Sequence, residues 1–371
     1  MSMRIDKGKG RFYDKQKRFG RKGVEEMTVS EFYERFSSDC AAGCGNQLLA
    51  KHPKEVTKTN RCWFRLSFGG EHYALLFSNE IDSTYDDGSI SRPGDVGGDW
   101  TIHGIRVGLC RGVQEEPVAW QEVTFSRKRE KKVTGKEPFV TDPVALGAKA
   151  GEWLCYEITF TGSCYPYHEE AVLTMVPDKQ MPLPLMIGSD RPIKEKIGFW
   201  GDSITQGCGT EDDSYTHWVA RIAEKLPEIS VWDLGIGYAR ASDAATSGGW
   251  LKRAKQCHTL HVCFGVNDIL RNRKAEEILR DLEIIIDTLK EAGCRVILLT
   301  LPPFDLEGEQ RVQWQKVNKV IREHLCREAD GFFDIAAVLG QQAPNEHRCI
   351  YGGHPNAEGC KAVAEAYLKE R

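Results

Sequence analysis

The hydrophobic pattern of this chain changes character near residue 195. Between residues 61 and 176, apolar side chains come in short, β-prone runs at 62–68, 72–77, 102–109, 118–125, 153–160 and 171–176. Gly69-Gly70 separates the first two runs and reads as a hairpin signal, and residues 153–160 alternate as a half-buried strand does. Strands at this spacing without long helices predict a β-sandwich or jelly roll. From Lys196 onward the period itself alternates. Strand-like runs at 197–200, 229–234, 260–264, 295–301 and 331–335 are separated by helical patterns. The first helix carries Trp218, Val219, Ile222 and Leu226 on one face. The others span 241–255 (interrupted by Gly248-Gly249), 275–292 (closed by Gly293), 310–326 and 357–368. Such alternation predicts a parallel sheet covered on both faces.

Turn residues divide the chain. Residues 177–184 hold three prolines and read as a linker, and Pro192 precedes the α/β half. The predicted organisation is a basic segment with a short helix over 1–55, in which Ser30 is a candidate cap, then a β-sandwich domain over 56–185, then an α/β domain over 190–371. The segment 82–100 is rich in Asp, Ser and Gly, but its acids lack the spacing of a calcium loop, so it reads as a surface loop. The charged run 127–132 reads as a hairpin tip.

Composition narrows the function classes. With 371 residues, 41% of them apolar, the chain can bury cores for two domains. A net charge of -4 gives no reason to expect a nucleic-acid partner, and the basic residues of segment 1–24 read as a solvated tail. No stretch approaches the ~20 apolar residues of a membrane span, so no membrane partner is expected. No apolar run follows the basic N-terminus, so it does not read as a secretory signal. Of the 13 cysteines, only Cys40 and Cys44 form a close pair, and no second pair completes a zinc site. Cys155, Cys263 and Cys294 lie in apolar runs as small core residues, and free thiols in this number suit a reducing cytoplasm.

The chemistry concentrates where predicted strands end. Gly201-Asp202-Ser203 follows the first strand of the α/β half, which is where open α/β sheets hold ligands. Gly265-Val266-Asn267-Asp268 follows a later strand, and Gly353-His354-Pro355-Asn356 precedes the last helix. A serine hydroxyl needs a positioned base to act as a nucleophile, and His354, in a glycine-rich loop, is the candidate. By its residue type and position, Asn267 suits helix capping and oxyanion donation equally well.

Ser203, Asn267 and His354, in this order and at these places, resemble the GDSL/SGNH hydrolase family. The resemblance spans about residue 193 to the end. It implies an SGNH-type three-layer α/β/α domain with Ser203 as nucleophile, His354 as base and no metal or organic cofactor. It implies oxyanion donors from the Ser203 N–H, the Asn267 side chain and an N–H of the block 235–238. Gly237 is the first choice for that last donor, with Tyr238 standing where the family usually has glycine. Asp202 and Asp268 read as braces of their own turns. One position departs from the family: the usual triad aspartate, three residues before the histidine, is Tyr351. Three readings stay open. A backbone carbonyl orients His354 in a dyad, or Asp334, Glu346 or Glu358 supplies the carboxylate, or activity is lost.

The leading expectation is a serine esterase acting on short acyl esters, with O-acetyl groups on carbohydrates the preferred class. A β-sandwich ahead of an SGNH-like domain resembles the arrangement of bacterial carbohydrate esterases. Trp200, Tyr215, Trp218 and Trp250 are candidates for stacking on sugar rings, though core packing claims about half of them. The competing expectations are a lysophospholipase or thioesterase of the same chemistry and a non-catalytic carbohydrate-binding protein. The partner is a small-molecule or oligosaccharide ester, and a homo-oligomer is left open.

Overall fold

The computed structural model describes residues 26–371, apart from 44, 169–171 and 342. The basic segment 1–24, Cys44 of the close cysteine pair and the start of the run at 171 lie outside the described residues.

The C-terminal half builds the expected parallel sheet. Its five strands lie in the order Ile229–Asp233, Glu195–Gly201, Thr259–Cys263, Arg295–Leu299, Phe332–Phe333. Each pair is parallel; Phe199, for example, sits opposite Asp233 on one side and His261 on the other. The strands are buried on both faces, which is why they read as continuous apolar runs rather than alternating ones. On one face lie helices Trp218–Lys225 and Ala357–Glu370, bringing Trp218, Ile222, Val363 and Tyr367 into the core. On the other lie Ala275–Glu291 and Gly308–Val320, bringing Ile278, Leu282, Ile285 and Trp314. The expected helix over 241–255 is two short ones, Ala241–Ala244 and Gly249–Ala254, broken at the glycine pair.

Because Glu195–Gly201 lies between the second and third strands, the chain leaves it in one direction and later returns on its other side. This is the switch point of the sheet, and the crevice at its carboxyl edge opens there.

The N-terminal half forms two antiparallel sheets. One holds Ser37–Ser38, Met186–Ser189, Gly69–Phe77, Phe139–Val140 and Val144–Lys149; the other is built on Leu48–Arg65, Trp153–Tyr167 and Trp100–Cys110. Their inward residues share one core, in which Phe77 of the first sheet meets Tyr156 of the second at 6.4 Å between ring centroids.

The hairpin read at Gly69-Gly70 is not formed. Leu48–Arg65 pairs with Trp153–Tyr167, whereas Gly69–Phe77 pairs with Met186–Ser189 and Val144–Lys149 in the other sheet. The glycines mark a corner where the chain changes sheets. The buried carboxylate of Asp39 holds that corner, accepting from the Phe68 N–H at 2.7 Å and the Tyr73 hydroxyl at 2.7 Å. Burial pushes the Asp39 carboxyl up to about 6, against the pull of these donors.

Other boundaries shift as well. Strand Leu48–Arg65 begins well before the expected run at 62–68, and Met186–Ser189 returns to an antiparallel sheet after the proline segment. That segment is built into the core rather than lying open as a linker: Met181, Leu183 and Leu185 are buried, and the Tyr156 hydroxyl donates to the Pro182 carbonyl. The loop expected to lie on the surface at 82–100 is partly buried between the two halves. Asp82 pairs with Arg253 at 2.6 Å, and Thr84 donates through its backbone N–H to Asp243 at 3.2 Å.

Candidate active site

The turn after the first parallel strand fixes Ser203. Asp202 caps the short helix Ser203–Gln206 by accepting the Ile204 N–H at 3.0 Å, so Ser203 is the first helical residue. Asp202 is buried, and burial pushes its carboxyl up to about 7, with the Ile204 bond pulling the other way and Asp268 adding repulsion. Its second oxygen lies 3.4 Å from the Asn267 Nδ2. Asp268 accepts the Ala241 N–H at 2.8 Å and pairs with Arg273 at 2.6 Å, tying two short helices together.

His354 comes from the loop before the last helix. Its Nε2 lies 2.9 Å from the Ser203 Oγ, and its Nδ1 lies 3.0 Å from the Tyr351 carbonyl oxygen. The loop reaches this position because Gly353 has φ +111° and packs so tightly that a Cβ there would sit 2.6 Å from the Pro303 carbonyl. Two aromatic rings flank the imidazole: Phe304 at 5.2 Å, edge-on, and Tyr351 at 4.8 Å. Burial holds the His354 pKa below its ordinary value, and the hydrogen bond to Tyr351 offsets part of that. Of the other buried histidines, burial pushes His217 down to about 4 and His261 down to about 3.

None of the three candidate carboxylates meets His354. Asp334 caps helix Ile335–Leu339, accepts from Thr300 and pairs with Arg322 at 2.9 Å. Burial would raise its carboxyl, but Arg322 and Thr300 hold it below the usual value. Glu346 and Glu358 are exposed. Among the described contacts, the Tyr351 main-chain carbonyl is the partner of His354 Nδ1.

Asn267 lies in helix Val266–Leu270, after the third strand. It does not cap that helix, whose N-cap is Gly265 with no side-chain bond. Its Nδ2 donates to the Ala239 carbonyl at 3.1 Å.

The block after the second strand folds against the serine helix. A Cβ on Gly235 would meet the Gln206 backbone nitrogen at 2.2 Å, so only glycine allows this approach. Ile236 to Ala239 then close a turn, with Tyr238 at φ +63° in its third place, where type II turns favour glycine. The Gly237 carbonyl accepts from the buried Gln47 side chain at 3.1 Å.

A cleft of about 490 Å³ lies over these groups, lined by Ser203, Tyr238, Asn267, Phe304, Tyr351 and His354 among others. Tyr238 belongs to its wall and Gly237 does not. The four aromatics read as possible stacking residues are all core: Trp200, Trp218, Trp250 and Tyr215 are 0%, 1%, 2% and 7% exposed, and none lines the cleft. The cleft aromatics are Tyr238, Phe304 and Tyr351 instead.

Sequence reasoning also missed Gln47, Tyr85 and Arg271. Tyr85 meets Tyr238 edge-on at 4.9 Å from the loop that had read as plain surface. Arg271 alone left a signal, being one helical turn beyond Asn267. Among the described residues, no group of His, Cys, Asp and Glu could hold a metal ion. No helix among them is long and apolar enough to cross a membrane.

Fold and site define a class: a three-layer parallel-sheet unit with serine and histidine at the carboxyl edge of its sheet. Residues 199–362 match the model of the GDSL-like Lipase/Acylhydrolase family. No curated protein matches the chain.

Solved structures similar to the chain cover just under half of it. A putative lipolytic protein of the G-D-S-L family from Desulfitobacterium hafniense is 17% identical over 47% of this chain and 99% of its own, with a TM-score of 0.41. An α/β hydrolase, LAE5, from the metagenome of Lake Arreo is 19% identical over 48% and 95%, with a TM-score of 0.41. A catalytic mutant of Axe2, an acetylxylan esterase from Geobacillus stearothermophilus, is 20% identical over 48% and 95%, with a TM-score of 0.40.

Proposed function

We propose that this protein is a serine esterase of short-chain acyl esters, working through a Ser203–His354 dyad. The observation that carries the reading is the hydrogen-bond chain Ser203 Oγ to His354 Nε2 at 2.9 Å and His354 Nδ1 to the Tyr351 carbonyl at 3.0 Å. A neutral imidazole is a donor at one nitrogen and an acceptor at the other. The Tyr351 carbonyl accepts, so the proton sits on Nδ1 and Nε2 is left to take the serine proton. This is the orienting half of what a triad aspartate does; the charge that steadies the imidazolium is missing.

Ser203 Oγ attacks the ester carbonyl carbon as its proton passes to His354 Nε2. The tetrahedral oxyanion collapses, the alcohol leaves with that proton, and Ser203 carries the acyl group. Water, deprotonated by His354, then releases the acid. The proposed oxyanion donors are the Ser203 N–H, the Asn267 Nδ2 and the Tyr238 N–H. Gln47 supports the choice of Tyr238 over Gly237. In a planar trans peptide, C=O and N–H point opposite ways. Gln47 holds the Gly237 carbonyl on its own side, which turns the Tyr238 N–H to the other, and Tyr238 is the residue that lines the cleft.

O-acetylated carbohydrates are the proposed substrate class. That half of the reading rests on the two-unit arrangement, which resembles bacterial carbohydrate esterases. Cys155, Cys263 and Cys294 are free thiols buried in the cores, which supports a reducing cytoplasm.

The test is hydrolysis of p-nitrophenyl acetate, butyrate and octanoate by wild type and Ser203→Ala. Activity on acetate that disappears in Ser203→Ala is the expected result. Activity that survives the substitution overturns the mechanism. A preference for octanoate moves the substrate to long-chain acyl esters. Binding of acetylated oligosaccharides without turnover makes the chain a carbohydrate-binding protein.

A further inference from the structure

We propose that Arg271 is a positioning residue for Asn267, and that the antiparallel half of the molecule holds it there and so completes the oxyanion side of the site. The inference rests on the esterase reading above. Arg271 Nη1 donates to the Asn267 main-chain oxygen at 3.2 Å and lies 3.5 Å from its Oδ1. A side-chain amide has an accepting and a donating end, and a guanidinium only donates. With Arg271 at one end, the oxygen faces the guanidinium and Nδ2 faces the other way. There it meets the Ala239 carbonyl at 3.1 Å and, more weakly, Asp202 at 3.4 Å. The N–H on the weak contact is the one left to donate a hydrogen bond to a developing oxyanion. The positive charge at Oδ1 also polarises the amide and strengthens Nδ2 as a donor.

The other side of Arg271 belongs to the antiparallel half. Its Nη2 lies 3.7 Å from Asp86, and its guanidinium carbon lies 5.9 Å from the centre of the Tyr238 ring. Tyr238 is in turn braced edge-on by Tyr85 at 4.9 Å. Tyr85 and Asp86 are neighbours in one loop of that half.

A stabilising role explains the position poorly. The Arg271 side chain is 17% exposed, its Asp86 partner is 64% exposed and distant, and its Nε is buried with no hydrogen-bond partner. Burying an incompletely paired guanidinium costs stability that an apolar side chain would not. Orientation of Asn267 is what the arginine supplies in return.

A double-mutant cycle of Arg271→Met and Asn267→Ala on p-nitrophenyl acetate tests this. Arg271→Met is expected to lower kcat about 10-fold with KM within about twofold, as for loss of a transition-state contact. In the Asn267→Ala background the same substitution is expected to cost less than about twofold, because its effect passes through Asn267. Arg271→Lys is expected to recover part of kcat by restoring a single donor. Equal losses in both backgrounds, a change in KM alone, or no change overturns the proposal. If Arg271→Met fails to fold, the cycle is run with Arg271→Leu against the same criterion. A folded wild type that hydrolyses no ester overturns the esterase reading and this inference together. An active wild type with an additive cycle overturns this inference alone.

Discussion

The two sides of the proposed site are supported differently. The proposed nucleophile and base come from the parallel-sheet half alone: Ser203 starts a helix capped by Asp202, and His354 is held by Tyr351 and flanked by Phe304. The oxyanion side is built on the same half but braced from the other. Gln47 fixes the Gly237 carbonyl, Tyr85 packs on Tyr238, and Asp86 faces Arg271. The difference suggests a division of labour. In the proposed mechanism, proton transfer depends on one local hydrogen-bond chain, whereas charge stabilisation depends on two halves staying in register.

Substitutions on each side sharpen or break this contrast. The largest loss is expected from Ser203→Ala, at least about 10³-fold in kcat for p-nitrophenyl acetate. Next is Asn267→Ala, at about 10²–10³-fold in kcat with KM nearly unchanged, the usual cost of an oxyanion donor. Gln47→Leu is expected to lower kcat about 10-fold by releasing the Gly237 peptide, although Gln47 touches no proposed catalytic side chain. Wild-type kcat in a folded Gln47→Leu protein would break the claim that the antiparallel half braces the oxyanion side.

Smaller effects test the base. Burial holds His354 below its ordinary pKa, and only neutral imidazole can take the serine proton. Activity is therefore expected to rise with pH through a midpoint below that of an ordinary histidine, measured as kcat/KM against pH. Tyr351→Asp places a carboxylate where the resemblance expects one. A negative charge there stabilises the imidazolium, so the midpoint is expected to move up. An unmoved midpoint means that the new carboxylate does not reach Nδ1. Least of all, Glu346→Gln and Glu358→Gln are expected to leave kcat within about twofold, since both are exposed and neither meets His354. A large loss in either would restore a carboxylate to the site.

Much of the parallel-sheet half was legible because its period switches between strand and helix and its turns carry the motif residues. The runs at 197–200, 229–234 and 260–264 correspond to strands, and the serine, asparagine and histidine blocks follow where the chain turns. The antiparallel half was legible in content and not in pairing. Gly69-Gly70 looks the same in a hairpin as in a corner between sheets; the buried Asp39 carboxylate that holds the corner lies about thirty residues away in sequence. Asp82 and Thr84 looked like surface residues because their partners, Arg253 and Asp243, lie far along the chain.

By itself, then, the sequence determined the layering of the C-terminal half, the place of Ser203 at a strand end and the absence of an aspartate three residues before His354. These are local matters of period, turn chemistry and residue type. Only the tertiary structure decided that the Tyr351 carbonyl is the partner of His354 Nδ1, that Tyr238 rather than Gly237 lines the cleft, and that the three candidate tryptophans and Tyr215 are core. The direction of a peptide plane or a ring is set by groups distant in the chain, and residue spacing carries no record of it.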